Sequence, residues 1–533
     1  MRSSRRFVLK AGAGFGAVSA FGLPKIARAQ NAGIVRAVMH GDLRVFDPIW
    51  TTANITAYHG AMIYDTLFGI DANFEPQPQM VDAWEVSDDQ LTWSFRLRDG
   101  IGFSDGTAVT SEDVVASIRR WAARDGAGQH MMRRVKDIVA KDDRVFEIQL
   151  TEPYGLVLDA LAKTSTPLCY IMRKADAETD PNEQITNYVG SGPFLFNQDE
   201  TQPGNVYVYD RNPNYVPRNE PASGMAGGKV VRVERVIWEN IADEQTAMAA
   251  LQTGEIDFYE TPPIDFLPML QADPGLNVQV LNQLGNVGLC RLNFLHPPFD
   301  TVEARLAMLH LLDQNDFLQA TFGNPEYYQT CGSYLTCGTP MESDVNTDWF
   351  TNGPNPERAR ELFQAAGYDG RPVTVLQATN IAFMNNAAQI IADRLRSIDI
   401  NVELAPSDWG GVVTRRAVKE APENGGWNIF VTWAGGNATS SPINLFGHAA
   451  TGEDAWFGWP KNERHEELRD AWAAAPTLDD RLAVTREMQE NAWNFVPHVQ
   501  LGQWVQPVAH GANLQGVISI PEIVPFWNME KVV

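Results

Sequence analysis

The stretch Ala83-Trp-Glu-Val-Ser-Asp-Asp-Gln-Leu-Thr-Trp-Ser-Phe-Arg-Leu-Arg-Asp-Gly-Ile-Gly-Phe-Ser-Asp-Gly106-Thr-Ala-Val-Thr-Ser-Glu-Asp-Val-Val-Ala-Ser117 packs several folding signals into one run. From Trp93 to Arg98 apolar and polar residues alternate with the period of a half-buried strand, and Asp99-Gly100 supplies the turn that ends it. Thr110-Ser-Glu-Asp113 is a capping-box pattern, predicting a helix through Val114, Ile118 and Trp121 that stops at Gly126 and Gly128. Asp105-Gly106-Thr107 reads as the turn leading into that helix, so these residues are assigned to the fold and not to a ligand.

Working outward, Val145 to Leu150 alternates in the same way and ends at Glu152-Pro153. A helix is expected from Glu244 to Gln252, stopped by Gly254, with a strand over 255–259 after it. One long helix is expected over 302–321, ending at Gly323-Asn324. Pro356, after Asn355, opens another that ends at Gly367, with proline just inside the start and glycine past the end. Strand and helix patterns alternating through the chain predict a mixed α/β fold. No heptad, solenoid period or low-complexity tract is present.

The chain has 533 residues, 44% of them hydrophobic and 20% charged, enough for two to four domains and a large buried core. A net charge of −24 argues against nucleic acid and against a polybasic membrane-surface protein. Residues 1–29 carry six basic side chains and no acid, then a small apolar run over 11–23 and Ala27-Arg28-Ala29. This is the pattern of a bacterial export signal cleaved near Ala29, which leaves a mature charge of −30. Ser4-Arg5-Arg6-Phe7-Val8-Leu9-Lys10 resembles the twin-arginine motif, with an ordinary secretory signal as the alternative. No later segment reaches the length of a membrane span, so a soluble periplasmic protein is expected.

In an oxidising compartment Cys331-Gly-Ser-Tyr-Leu-Thr-Cys337 is a candidate disulfide loop, because a metal pair would need closer spacing and further ligands. Cys169 and Cys290 lie in apolar surroundings and are read as buried thiols. His465-Glu-Glu lacks the second histidine of a zinc motif, and neither a nucleophile elbow nor a phosphate-binding loop occurs. No catalytic residue, metal site or cofactor is therefore expected.

Nine of the 15 tryptophans lie beyond residue 400. Trp472 and Trp493, at helical spacing among apolar neighbours, are read as core. Trp409, Trp433 and Trp456 stand beside glycines, where a ring can wall a pocket while bare backbone meets a ligand.

The run from Ala83 to Ser117 closely resembles the signature of the extracellular solute-binding proteins of the peptide/nickel class, receptors of dipeptide and oligopeptide ATP-binding-cassette importers. Shorter matches follow in the family's order: Tyr64-Asp-Thr-Leu-Phe68, Val189-Gly-Ser-Gly-Pro-Phe194, Arg211-Asn-Pro-Asn-Tyr215, Ala250 to Asp257, Pro297-Pro-Phe-Asp300, and Pro356 to Gly367. The resemblance implies a two-lobed periplasmic binding protein of the large type II class with an extra subdomain. Lobe I would comprise 30–70, 188–284 and 501–533, the extra subdomain 71–187, and lobe II 285–500. Two connecting hinges would fall near 284–288 and 499–503.

It further implies capture of a peptide or small peptide-like, amine or opine-like solute by closure of the cleft. The expected partner is a permease in the inner membrane, and the receptor is expected to be a monomer. Members of the class that bind peptides hold the solute ammonium with an aspartate in a tryptophan-containing strand-end loop. Here that loop is Trp427 to Pro442, and Gly436 stands where the acid would be. Either another acid such as Asp408 serves, or the solute lacks a free α-amino group. The candidate wall is Trp50, Thr51 and Asn54 from lobe I, Asn286 at the hinge, and Asp408, Trp409, Trp433, Gly435, Gly436 and Asn437 from lobe II. The competing readings are an exported enzyme of unknown reaction, suggested by the twin-arginine route, and a sensor or chaperone that transports nothing.

Overall fold

The computed structural model describes residues 33–475 and 477–532, so the expected export signal lies outside the described residues. The alternating pattern after Ala83 forms strand Thr92–Leu97, with Phe95 and Leu97 buried. Val81–Val86 and Val145–Leu150 pair on either side of it, and Val135–Ala140 completes an antiparallel four-stranded sheet. Phe95 and Phe146 stack across this sheet with ring centroids 4.9 Å apart. Helix Ser111–Arg124 begins at the expected box: the Thr110 amide donates to Asp113 Oδ2 at 2.8 Å, and the Thr110 hydroxyl accepts from the Asp113 amide. Its Val114, Ile118 and Trp121 are fully buried. Gly106 adopts φ 88° and the Thr107 amide donates to Asp105 Oδ1, so Asp105-Gly-Thr is a turn. Gly190 has the same structural character, because a Cβ there would collide with the Ile63 carbonyl oxygen.

Two larger sheets complete the α/β fold. The first has seven strands in the order Leu276–Val280, Pro507–Gly511, Phe258–Tyr259, Ile34–Val38, Arg235–Glu239, Val206–Arg211 and Phe194–Phe196. Ile34–Val38 runs parallel to both its neighbours. The second has six, in the order Tyr328–Gln329, His498–Trp504, Asn286–Leu292, Ile429–Gly435, Val373–Ala378 and Val402–Ser407. The chain passes from first to second between Val280 and Asn286, and returns between Trp504 and Pro507. Strand His498–Trp504 lies wholly in the second sheet, so the return crossing falls at 505–506, beyond the hinge span expected at 499–503.

Two local expectations change. The helix expected over 302–321 is two helices, Val302–Leu311 and Gln314–Phe322. Leu312 is extended, and the Asp313 side chain caps the second helix through the Asn315 amide at 2.9 Å. The strand expected over 255–259 shortens to Phe258–Tyr259, since the Glu255 and Ile256 amides turn back onto the carbonyl of Ala250 at the helix end. Trp472 and Trp493 are core residues. No described helix is long and apolar enough to cross a membrane.

Candidate functional site

Asn286, Trp433, Gly435, Gly436 and Asn437 come together where strand Ile429–Gly435 runs into the short helix Gly436–Thr439. Asn286 pairs in register with Gly435 on one side and Trp504 on the other. Trp433 meets Trp504 edge to face at 6.4 Å. The Gly436 amide donates to the Gly285 carbonyl at 2.7 Å, and a Cβ on Gly436 would collide with the carbonyl oxygen of Leu284. Gly436 is thus a seat for the crossing segment.

The same strand end reaches across to the other large sheet's side of the molecule. Asn437 Nδ2 donates to Thr164 Oγ1 at 3.2 Å, and the Ala438 amide donates to Glu522 Oε1 at 2.7 Å. Thr166 Oγ1 donates to the Thr52 carbonyl at 2.9 Å, which ties the segment before helix Asn54–Ile63 to the 164–166 segment. Trp50 is turned differently: its indole N–H donates to the Asn182 carbonyl, and its own carbonyl accepts from Arg124. Buried Asp47 holds this loop, pairing with Arg120 at 2.8 Å and accepting from the amides of Ile49 and Ile185.

Asp408 and Trp409 form a second group. Asp408 Oδ1 caps helix Trp409–Arg415 through the Gly411 amide at 2.8 Å, and Oδ2 lies 3.4 Å from Arg44 Nη1. The amide bond and the Arg44 charge hold this exposed carboxyl below its usual range. Both of its oxygens are therefore engaged within the protein.

Two charged side chains that sequence reasoning did not single out are placed more suggestively. Arg416 is 6% exposed, and its buried Nε has no hydrogen-bond partner among the described residues. Instead its guanidinium carbon sits over the rings of Phe457, Trp409, Trp456 and Phe430 at 4.7, 5.2, 5.2 and 5.8 Å. Desolvation lowers its pKa to about 9. Glu522 is 8% exposed and has φ 65°. Burial raises its pKa to about 7, opposed by the Ala438 amide and the Lys163 charge. The available sequence signals were an arginine shortly after Trp409 and an acid bracketed by prolines in Ile520-Pro-Glu-Ile-Val-Pro525.

Cys331 and Cys337 are joined as a disulfide, whereas Cys169 and Cys290 are free and buried. The closed loop braces the strand end: Thr336 Oγ1 donates to the Gly436 carbonyl at 2.6 Å, and Gln503 Nε2 bridges the carbonyls of Cys337 and Leu284. Among the described residues no group of three His, Cys, Asp or Glu is placed to hold a metal ion.

A family model described as bacterial extracellular solute-binding proteins, family 5 Middle, matches residues 75–456. The chain is 48% identical over 538 residues to a probable peptide ABC transporter periplasmic-binding protein of Sinorhizobium fredii, covering all of both. Among solved structures it resembles a periplasmic binding protein of A. tumefacien R10 in complex with agropinic acid, with TM-score 0.78, 20% identity, and 94% of this chain and 99% of that one covered. A periplasmic binding protein of Helicobacter pylori in complex with the peptide STSA also matches with TM-score 0.78 at 20% identity, over 95% of this chain and all of that one.

Proposed function

The chain belongs to the bacterial extracellular solute-binding proteins of family 5, and on that footing we propose that it captures a small solute between its lobes and delivers it to the permease of an ATP-binding-cassette importer. The solute is a peptide or a small peptide-like, amine or opine-like compound. The Sinorhizobium relative's name and the two ligands of the structural neighbours support that range. Of the described residues, lobe I takes those of 33–70, 188–280 and 507–532 with the subdomain at 71–187, and lobe II takes those of 286–475 and 477–504. The hinges are then the two short crossings. The working form is a periplasmic monomer released from a leader cut near Ala29.

One observation carries the mechanism: Asn437 and Ala438, on one wall, bond to Thr164 and Glu522 on the other. Contacts that exist only when the lobes meet bias the molecule toward the closed state, and a solute shifts that balance only through additional contacts made on closure. Thr51, Asn54, Asn286, Trp433 and Asn437 line the solute beside them. Arg416, caged by aromatic rings and with its Nε unpaired among the described residues, supplies a cation for an anionic group of the solute. Asp408 stabilises the wall through Arg44, and Gly435 and Gly436 shape the backbone.

Small-angle scattering and tryptophan fluorescence with a small-molecule extract of the host periplasm test this reading. Compaction with a fluorescence change is the expected result. An extract that changes neither signal at saturation rejects capture by closure.

A further inference from the structure

Glu522 presents a feature that joining the lobes does not require. Its Oε1 accepts from the Ala438 amide, and a neutral glutamine would make the same bond. A carboxylate buried with a single amide donor is under-compensated, because removing a full charge from water calls for a cation or several donors. Among the described residues Glu522 has no ion-pair partner and no second donor. Lys163 contributes an attractive charge, yet its Nζ is already bonded to Asp125 at 2.8 Å and to Ser165. Tyr58 feels the Glu522 charge from the facing helix Asn54–Ile63.

The surroundings are built to hold the carboxyl there. Glu522 adopts a left-handed backbone conformation between buried Ile520 and Ile523, one that a non-glycine residue takes only when its neighbours impose it. Ser519 Oγ donates to the Leu281 carbonyl, pinning the segment to the first crossing. Gly435 leaves the necessary space, since a Cβ there would collide with Glu522 Oε1. The carboxyl therefore occupies the lobe junction beside the strand end that lacks an acid of its own.

We propose that Glu522 is the cation-receiving residue of the cleft, taking a protonated amine of the solute. This rests on the reading of the chain as a cleft-closing receptor. It narrows the solute to compounds with a basic nitrogen, such as peptides with a free amino terminus or amino-acid-derived amines. A raised carboxyl pKa at an empty site fits this role, because an arriving ammonium would favour the ionised form and displace a proton.

The test uses a pool of di- to tetrapeptides with free amino termini and the same pool N-acetylated, titrated calorimetrically into the mature protein and into Glu522→Gln. Free-amino peptides are expected to bind at least about 10-fold more tightly than acetylated ones, with that preference lost in the variant. Binding at pH 7 in two buffers of different ionisation enthalpy should reveal proton release by the wild type, a readout independent of the variant's folding. Equal affinity for the pools, retention of the preference by Glu522→Gln, absence of proton release, or no binding of the free-amino pool each overturns the proposal. A host extract that closes a protein indifferent to the free-amino pool would reject the role of Glu522 while leaving capture by closure intact. An extract that fails to close it would reject capture itself.

Discussion

Gly436 rests directly against Leu284: its amide bonds to the neighbouring Gly285 carbonyl, and a side chain on it would strike the Leu284 carbonyl oxygen. At this position the backbone of the strand end packs against the first crossing, and the space beside it is closed to a side chain. Gly436→Ala should therefore destabilise the protein by about 1–3 kcal/mol. Gly436→Asp should do at least as much harm and gain no affinity for free-amino peptides. Thermal unfolding and calorimetry read the two effects. An aspartate variant that folds normally and binds such peptides more tightly would restore Gly436 to the ligand wall.

The Cys331–Cys337 loop carries Thr336 to the Gly436 carbonyl, so the disulfide should matter to both stability and the site. Replacing both cysteines by serine should cost about 2 kcal/mol and weaken solute binding, with the fold retained. Peptide mass spectrometry without reductant should recover the two cysteines linked. Free thiols at both positions in protein isolated from its host would contradict the pairing.

What could be read from the sequence follows from how far apart the partners are. The Thr110–Asp113 box and the left-handed Gly254 and Gly367 involve near neighbours, so the residues themselves disclose them. The Leu312–Asp313 break was hidden because an aspartate is compatible with a helix interior until its side chain turns to cap the next helix. Gly435, Gly436 and Asn437 were singled out through the tryptophan-bearing loop and Asn286 through the hinge, but their surroundings include Leu284, Thr164 and Glu522, which only the fold brings there. Arg416 and Glu522 were missed for the same reason. A charge becomes unusual through burial without a partner, and composition does not report burial.

Asp470, on helix Glu463–Ala474, gathers three basic groups from the subdomain: His130 at 2.7 Å, Arg133 at 3.0 Å and Arg134 at 3.4 Å. The His130 hydrogen bond, aided by the arginine charges, holds its carboxyl well below the usual range. Because this carboxylate is half-exposed, its pairs are screened, and Asp470→Asn should weaken solute affinity only about threefold to fivefold, by favouring the open form. Titrations at low and high salt check this, since the wild-type advantage should shrink as salt rises. An effect that is large and independent of salt would show that the aspartate does more than latch the lobes.

Arg416 gives opposite signs for stability and binding. A buried guanidinium whose Nε has no acceptor among the described residues costs desolvation energy, so Arg416→Met should leave stability unchanged or slightly higher. The same change should reduce affinity for a solute bearing a carboxylate by about 10-fold or more. Urea unfolding and calorimetry on one preparation separate the two. A variant that unfolds more easily and binds as before would make Arg416 a core residue.

Glu522 also sets a stability slope with a definite sign. Its folded pKa of about 7 lies above the ordinary 4.5, so the native state retains the proton more tightly than the unfolded chain. The resulting stabilisation is complete below about pH 4.5 and is lost as pH rises through about 7, a change of about 3 kcal/mol. His465 acts in the other direction: burial depresses its pKa to about 4, so stability falls as pH drops below 6.5. The raw pH profile therefore mixes opposing slopes, and the difference between wild type and Glu522→Gln isolates one of them. Around the carboxyl, the Lys163 charge, the Ala438 amide and the Tyr58 phenol are unchanged by that substitution. Relative to wild type, the variant should gain stability steadily between pH 4.5 and 7.5 in urea titrations without solute. A constant difference across that range would mean that the Glu522 carboxyl is ionised throughout, with a cation already beside it.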